Sequence, residues 1–224
     1  MSKVVEQIEN TLIELKEHGV LENEIIKRYE KKILSLKNAE LSYFFSKNVK
    51  GADVKAHEKV VIESKDPEWN YMFAKNVKGA DVKSHEKVVI ESKNPKLNYM
   101  FAKDVEGADV KVHENVIIKS KKPEWNFKFA RDVKDANVKV LENVVLESKD
   151  PVQNYYFAKS VKGADVIAHG QVIIESRNSM LNDLFKENFE DEYKNLKRNN
   201  FIDDALDEMI KENNEENKSM QKRS

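Results

Sequence analysis

Apolar positions along the chain fall on short helical stripes that recur at a fixed interval. From Asp66 the sequence reads DPEWNYMFAKNVKGADVKSHEKVVIESK, and 28 residues later, from Asn94, it reads NPKLNYMFAKDVEGADVKVHENVIIKSK. Two more copies begin at Lys122 and Asp150, a looser one runs from Asn38 to Lys65, and Asn178 to Phe185 starts a sixth that drifts away. The column Phe45, Phe73, Phe101, Phe129, Phe157, Phe185 keeps this register without an insertion. A fixed period of this size is the mark of a repeat architecture, in which no copy buries its core alone.

Each copy predicts a helix, a tight turn and a second helix. Asp66-Pro67, Asn94-Pro95 and Asp150-Pro151 are helix starts: the side chain accepts from free backbone N–H groups and proline is preset for the first turn. Gly79 supplies the left-handed residue that ends the first helix, and Asp81 caps the next. The fourth copy writes this turn as Asp135-Ala136-Asn137, which keeps the chemistry because Asp tolerates the left-handed region and Asn caps as well as Asp. Helices of about ten residues are too short to stand alone in water, so the pairs must stack. A leucine-rich repeat has an overlapping period, and Val88-Val89-Ile90 would supply its strand, but the L-x-x-L-x-L-x-x-N spacing is absent.

The expected fold is therefore all-α, a right-handed α-solenoid of five helix-turn-helix repeats with capping helices. Residues 1–37 do not repeat. Val4, Ile8, Leu12, Ile13 and Leu15, then Ile25, Ile26, Tyr29 and Ile33, form two helical stripes that read as an N-terminal cap. The repeats fill 38–177. In 178–212, Leu181, Leu184, Phe185, Phe189, Tyr193 and Leu196 suggest a longer closing helix, and Ile202, Ala205, Leu206 and Met209 a last short one. Residues 213–224 are polar and read as a disordered tail.

Composition narrows the function classes. The chain has 224 residues, 40% hydrophobic and 35% charged, with 6 Gly and 4 Pro, as expected of a folded chain. Its 39 basic and 40 acidic side chains nearly cancel, so any polyanion site must be a local patch. There is no cysteine, which removes disulfides, thiol nucleophiles and Cys-based zinc sites. No signal-peptide pattern and no run near the roughly 18 apolar residues of a membrane span is present, so a cytoplasmic location with no membrane partner is expected.

At helical spacing, Asn70, Phe73, Ala74 and Val77 face the partner helix, with Trp69 and Tyr71 on the flanks between copies. The column Trp69, Leu97, Trp125, Gln153 varies in size. The outermost positions are then Phe44, Met72, Met100, Lys128 and Tyr156, followed by Lys47, Lys75, Lys103, Arg131 and Lys159. An apolar column rimmed by cations is a candidate binding ridge for a partner, unless a terminal helix or a second copy covers it. Asn70, Asn98, Asn126, Asn154 and Asn182 point inward and need hydrogen bonds, expected to loop backbone between repeats.

The column His57, His85, His113, Leu141, His169 invites a metal or acid–base reading. Equivalent atoms in adjacent copies lie roughly 8 to 10 Å apart, whereas two imidazoles on one zinc each sit about 2 Å from the metal. With Leu141 replacing one His, these are expected to be packing histidines. A second basic column, Lys65, Lys93, Lys121, Lys149 and Arg177, ends the second helices. Such ladders could track phosphates. The acidic columns Glu58, Glu86, Glu114, Glu142 and Glu63, Glu91, Glu147, Glu175 make a salt-bridged, solvated face the simpler expectation.

No phosphate loop, nucleophile elbow, zinc-protease helix or calcium loop is written in the chain. Near-identical copies also repeat side chains, whereas a catalytic site converges a few unlike groups. Outside the repeats the only histidine is His18, beside Gly19 at an expected helix end. No catalytic residue, metal ligand or cofactor is expected.

The pairing logic resembles HEAT and armadillo α-solenoids, although the unit is shorter. More closely, D-P-x-x-N-Y-x-F-A-K-x-V-K-G-A-D-V-K over about residues 38–185 resembles tandem repeats of bacterial and phage proteins of unassigned function. That resemblance brings no catalytic residues, and it implies a non-enzymatic inhibitor that binds and blocks a host defence complex, in the manner of an anti-CRISPR protein. A protein or protein complex is the expected partner, nucleic acid bound by the lysine ladders is the alternative, and a homodimer is compatible with the ridge.

Overall fold

The computed structural model describes residues 23–199 continuously, together with residues 10, 11, 13, 17, 202, 206 and 209–211. Among the described residues there is no strand, and no helix is long and apolar enough to cross a membrane. The stripe positions Val4, Ile8, Leu12 and Leu15, His18, Ala205 and the tail at 213–224 lie outside the described residues.

The chain forms two compact units, Met1–Ser120 with Asp132–Ala136, and Lys121–Arg131 with Asn137–Ser224. In the first, α1 (Asn23–Ser35) precedes three pairs: α2 (Ala39–Asn48) with α3 (Val54–Glu63), α4 (Pro67–Asn76) with α5 (Val82–Glu91), and α6 (Pro95–Asp104) with α7 (Val110–Ser120). Each helix packs on the next and on the next but one, so pair stacks on pair. The second unit holds α8 (Pro123–Asp132, its last residue excepted), α9 (Val138–Glu147), α10 (Pro151–Ser160), α11 (Val166–Glu175) and α12 (Ser179–Asn188), then a helical segment at 190–199. This is the 28-residue helical repeat that the sequence predicts.

The caps form as their residue types require. Asp66 accepts from the N–H groups of Glu68 and Trp69, Asn94 from Lys96 and Leu97, and Asp150 from Val152 and Gln153. Asp81 and Asn137 cap the second helices of their copies. Gly79 turns at φ 84° and Asp135 at φ 62°, so the fourth copy reaches the left-handed conformation with an aspartate. A Cβ added at Gly79 would meet nothing within 4 Å, so glycine serves there for its backbone freedom and not for space.

A second left-handed position was hidden in the basic column. Lys65, Lys93, Lys121, Lys149 and Arg177 have φ between 52° and 56°, and Lys37 has φ 48°. The five in the repeats each follow a serine at the end of the second helix; Ser92 Oγ donates to Val89 O at 2.6 Å and accepts from Asn94 N at 3.1 Å. A left-handed lysine costs roughly 1 kcal/mol that glycine avoids. Lys93→Gly is therefore expected to raise unfolding stability by about 1 kcal/mol, read from the urea midpoint at unchanged slope.

The core is the aromatic column: Phe45, Phe73, Phe101, Phe129, Phe157 and Phe185 are fully buried. Two capping expectations are corrected. Ile26 and Ile33 are buried, but Tyr29 is exposed, because α1 turns only one narrow stripe onto α2 and α3. The long closing helix is broken at Phe189, whose φ of −143° and ψ of 59° leave the helical region; α12 stops at Asn188 and Leu196 reaches the core from the segment beyond. Ile202, Leu206 and Met209 are exposed.

Candidate functional site

Two arrangements recur from copy to copy, one buried and one at the surface. The buried one joins three helices of successive pairs. In the first unit, Asn98 Nδ2 donates to Val89 O at 3.1 Å and Asn94 O at 2.9 Å, which turns its Oδ1 onto His113 Nδ1 at 2.8 Å. The far nitrogen, His113 Nε2, lies 3.2 Å from Glu86 Oε1. That carboxylate also accepts the N–H of Asp109, the residue before α7, at 2.7 Å. One copy earlier, Asn70, His85, Glu58 and the Asp81 N–H repeat the arrangement, with His85 2.8 Å from Asn70 and 3.2 Å from Glu58. In the second unit Asn154, His169, Glu142 and the Asp165 N–H do the same.

These histidines have no exposed surface, and each ring lies against a core phenylalanine, His113 at 5.0 Å from Phe101 by centroids. Burial holds them below the ordinary histidine range; His113 is brought down to about 4. Burial pushes the Glu86 carboxyl up. The histidines pack, as expected, and Asn70 bonds to backbone at the junction between repeats, Asp66 O, as expected, and also to Val61 O within the preceding helix, which was not. What the sequence reading missed is that they bond to each other. It also misplaced Glu58, Glu86 and Glu142, which do not form a solvated, salt-bridged face: all three are buried, because each carboxylate serves the next copy's histidine and helix start. The signal was present as a fixed offset, Asn to His by 15 residues and Glu to His by 27.

At the surface, the proposed ridge is less even than its spacing suggests. Phe44, Met72 and Met100 are half-buried, since each side chain fills the seam between neighbouring first helices; Phe44 sits 5.9 Å from the Trp69 ring, and Met72 touches the cores on both sides of it. Lys128 is half-buried, bonds Glu124 at 2.6 Å and lies over the Trp125 ring. Tyr156 alone of the column is open, at 48% exposure. The flanking aromatics behave as expected: Tyr71 is buried and Trp69 is half-buried against Tyr43.

The cationic rim is largely committed to the protein itself. Lys47, Lys75, Lys103 and Lys159 each lie over the tyrosine four residues before, at 5.4 to 5.6 Å, and Arg131 lies over Phe127 at 4.9 Å. Lys75 also bonds Asp104 at 2.8 Å, and Tyr71 donates to the same oxygen at 2.6 Å, so the next copy is tied on at its surface. The Asp104 carboxylate and the Tyr71 hydroxyl hold Lys75 above the ordinary lysine range.

The second unit carries an apolar surface that the equal spacing did not reveal. The second position of the first helices runs Glu68, Lys96, Glu124, Val152, Met180, so two apolar residues replace charged ones at its end. Val152 and Met180 are exposed, at 42% and 64%. Val152 precedes Tyr156 by one helical turn on α10, and the Tyr156 ring runs nearly parallel to Phe127, 6.3 Å away. Arg131 lies over Phe127 from α8. Ile167 and Val140 are exposed on α11 and α9. Among the described residues no cluster of three or more His, Asp or Glu side chains is arranged to hold a metal ion. Comparison with protein-family models, with curated proteins and with solved structures finds no match to this chain.

Proposed function

We propose that the chain is a non-enzymatic scaffold that binds a protein through the second unit. The observation that carries this reading is the exposed set Val152, Tyr156 and Met180, with Phe127 beside Tyr156 and Arg131 over the Phe127 ring. Soluble proteins seldom leave clustered apolar side chains in water without use, and aromatic residues with arginine are the usual anchors of protein interfaces. The half-buried Met72 and Met100 are the same column spent on packing between copies. Partner-binding therefore centres on Tyr156, Val152, Met180 and Arg131, with Lys159 at the rim. The inhibitor role, in which the partner is a host defence complex, and the kinship with HEAT, armadillo and phage repeats rest on the repeat pattern alone. A nucleic-acid reading is weaker, because the lysines of the ladder lie over tyrosine rings of their own helices.

The expected result is loss of capture on substitution of the patch. Tyr156→Glu with Met180→Glu should reduce recovery of the bound protein from source-cell extract at least tenfold, with far-ultraviolet dichroism unchanged, and nuclease treatment of the extract should not alter recovery by the parent chain. Undiminished capture by the double variant counts against this surface; nuclease-sensitive capture counts for the nucleic-acid reading.

A further inference from the structure

The buried Asn–His–Glu arrangement sets a constraint on protons. Asn98 cannot reverse its amide, because Nδ2 is held by two carbonyl oxygens, Val89 O and Asn94 O. Its Oδ1 is an acceptor, so the proton of a neutral His113 ring must sit on Nδ1, which donates at 2.8 Å. Nε2 then presents a bare lone pair. It faces Glu86 Oε1 at 3.2 Å, an ionised carboxylate oxygen that is also acceptor-only. Two acceptors in contact inside a protein repel unless a proton lies between them. The same reasoning holds for His85, whose Asn70 is fixed by Val61 O and Asp66 O, and whose Nε2 faces Glu58 at 3.2 Å.

We infer that the His85–Glu58 and His113–Glu86 pairs are each a one-proton site, holding between ring and carboxyl a proton that the unfolded chain gives up above about pH 6.5. The proton joins the Nε2 lone pair to the Oε1 oxygen, and no other bond changes. Burial favours this state, since it disfavours a lone imidazolium at His113 and a lone carboxylate at Glu86. The other charged groups facing these sites are few. Asp81 and Asp109 lie near the rings from the starts of their own helices, and Lys83 acts on Glu86.

Two further copies serve as internal contrasts, the first in the proton constraint and the second in charge alone. His57 faces Glu30 at 3.4 Å, but Ser42 stands at the asparagine position and no bond holds its Nδ1, so its one proton is free to sit on Nε2 and satisfy the carboxylate. His169 keeps the constraint, since Asn154 Nδ2 is held by Val145 O and Asp150 O and its Oδ1 takes His169 Nδ1, but Lys139 bonds the other oxygen of the facing Glu142 carboxylate at 2.9 Å and supplies the counter-charge that the first-unit pairs lack.

The sign follows from proton linkage. Unfolded His85 and His113 are neutral above about pH 6.5 and their glutamates ionised, so the folded chain binds two protons more, and stability falls as pH rises. The unfolding constant is expected to rise up to about a hundredfold per pH unit above 6.5 until the pairs release their protons, and to change little for these pairs between about 4.5 and 6.5. The chain has no cysteine to titrate in that window. Urea unfolding of the full chain at intervals from pH 5 to 9 measures this. A neutral ring beside an ionised carboxylate would instead lose stability below pH 6.5 and be flat above it, which would overturn the inference. Glu86→Gln removes the carboxyl that shares the proton, since Oε1 takes both the Nε2 contact and the Asp109 N–H, and should halve the alkaline slope; an unchanged slope also overturns it. Calorimetric unfolding of the unaltered chain at pH 8 in buffers of different ionisation enthalpy counts the protons without a variant. The expected release is about two, and none would refute the sites.

Discussion

Gly170→Glu is expected to destabilise the second unit by at least about 3 kcal/mol, the loss appearing as a lower urea midpoint and early exposure of the segment at 190–199. Gly170 continues the column Glu58, Glu86, Glu114, Glu142, and is where that column ends. Upstream, Glu58, Glu86 and Glu142 serve the histidine and helix start of the following copy. After α12, the first helix of a sixth copy, no second helix brings a histidine, and the space is filled by Phe185 and Leu196; a Cβ at Gly170 would meet the Phe185 ring and come within 2.7 Å of Leu196 Cδ1. A carboxylate there would have no room. Gly170→Ala isolates the steric cause. Alanine gains up to about 1 kcal/mol in helix propensity, so the net loss in that variant with this gain added back measures the clash. A wild-type midpoint for Gly170→Glu would show that the closing segment does not pack as described.

Asn98→Leu is the second large effect, a loss of about 3 kcal/mol although leucine fills similar volume. Asn98 is fully buried and makes three hydrogen bonds. Asn94 O keeps the backbone N–H of residue 98, and Val89 O keeps the Ser92 hydroxyl, so most of the cost falls on His113 Nδ1, left without an acceptor in an apolar site. The fourth copy changes the histidine side alone: Leu141 stands where the others have histidine and is fully buried, while Asn126 is kept. Combining Asn98→Leu with His113→Leu should recover part of the loss, and the recovered fraction is the coupling energy of the pair. Additive losses would mean that the Asn98–His113 bond contributes nothing measurable.

The fold was legible because its signals are local and repeated. Asp66-Pro67, Gly79 and Asp81 each act within a turn of their own position, and the phenylalanine column fixes the register without reference to anything distant. The contacts between copies were not legible by the same means. Glu58 reads as a surface residue when only its own helix is considered, and becomes a buried acceptor once a histidine 27 residues on is placed against it. The left-handed lysines were hidden because Lys93 carries no sign of positive φ; its role follows from Ser92 closing α5 and Asn94 opening α6. The binding surface was half legible. Spacing found Tyr156, but treated Phe44, Met72 and Met100 as equals, because helical phase does not say which side chains a neighbouring copy will cover. Val152 and Met180 stood out only when the column of charged residues before them was compared with exposure.

The functional reading turns on whether Tyr156 meets a protein in the cell. A photoreactive benzophenone side chain placed at 156, at 72 and at 75 in separate chains, irradiated in source cells, tests this at residue resolution. Position 72 is half-buried between copies and position 75 lies on the lysine ladder. The expected result is a discrete protein adduct from position 156, little from position 72, and no nucleic-acid adduct from any of the three. Nucleic acid joined at position 75, with no protein joined at 156, would contradict the account.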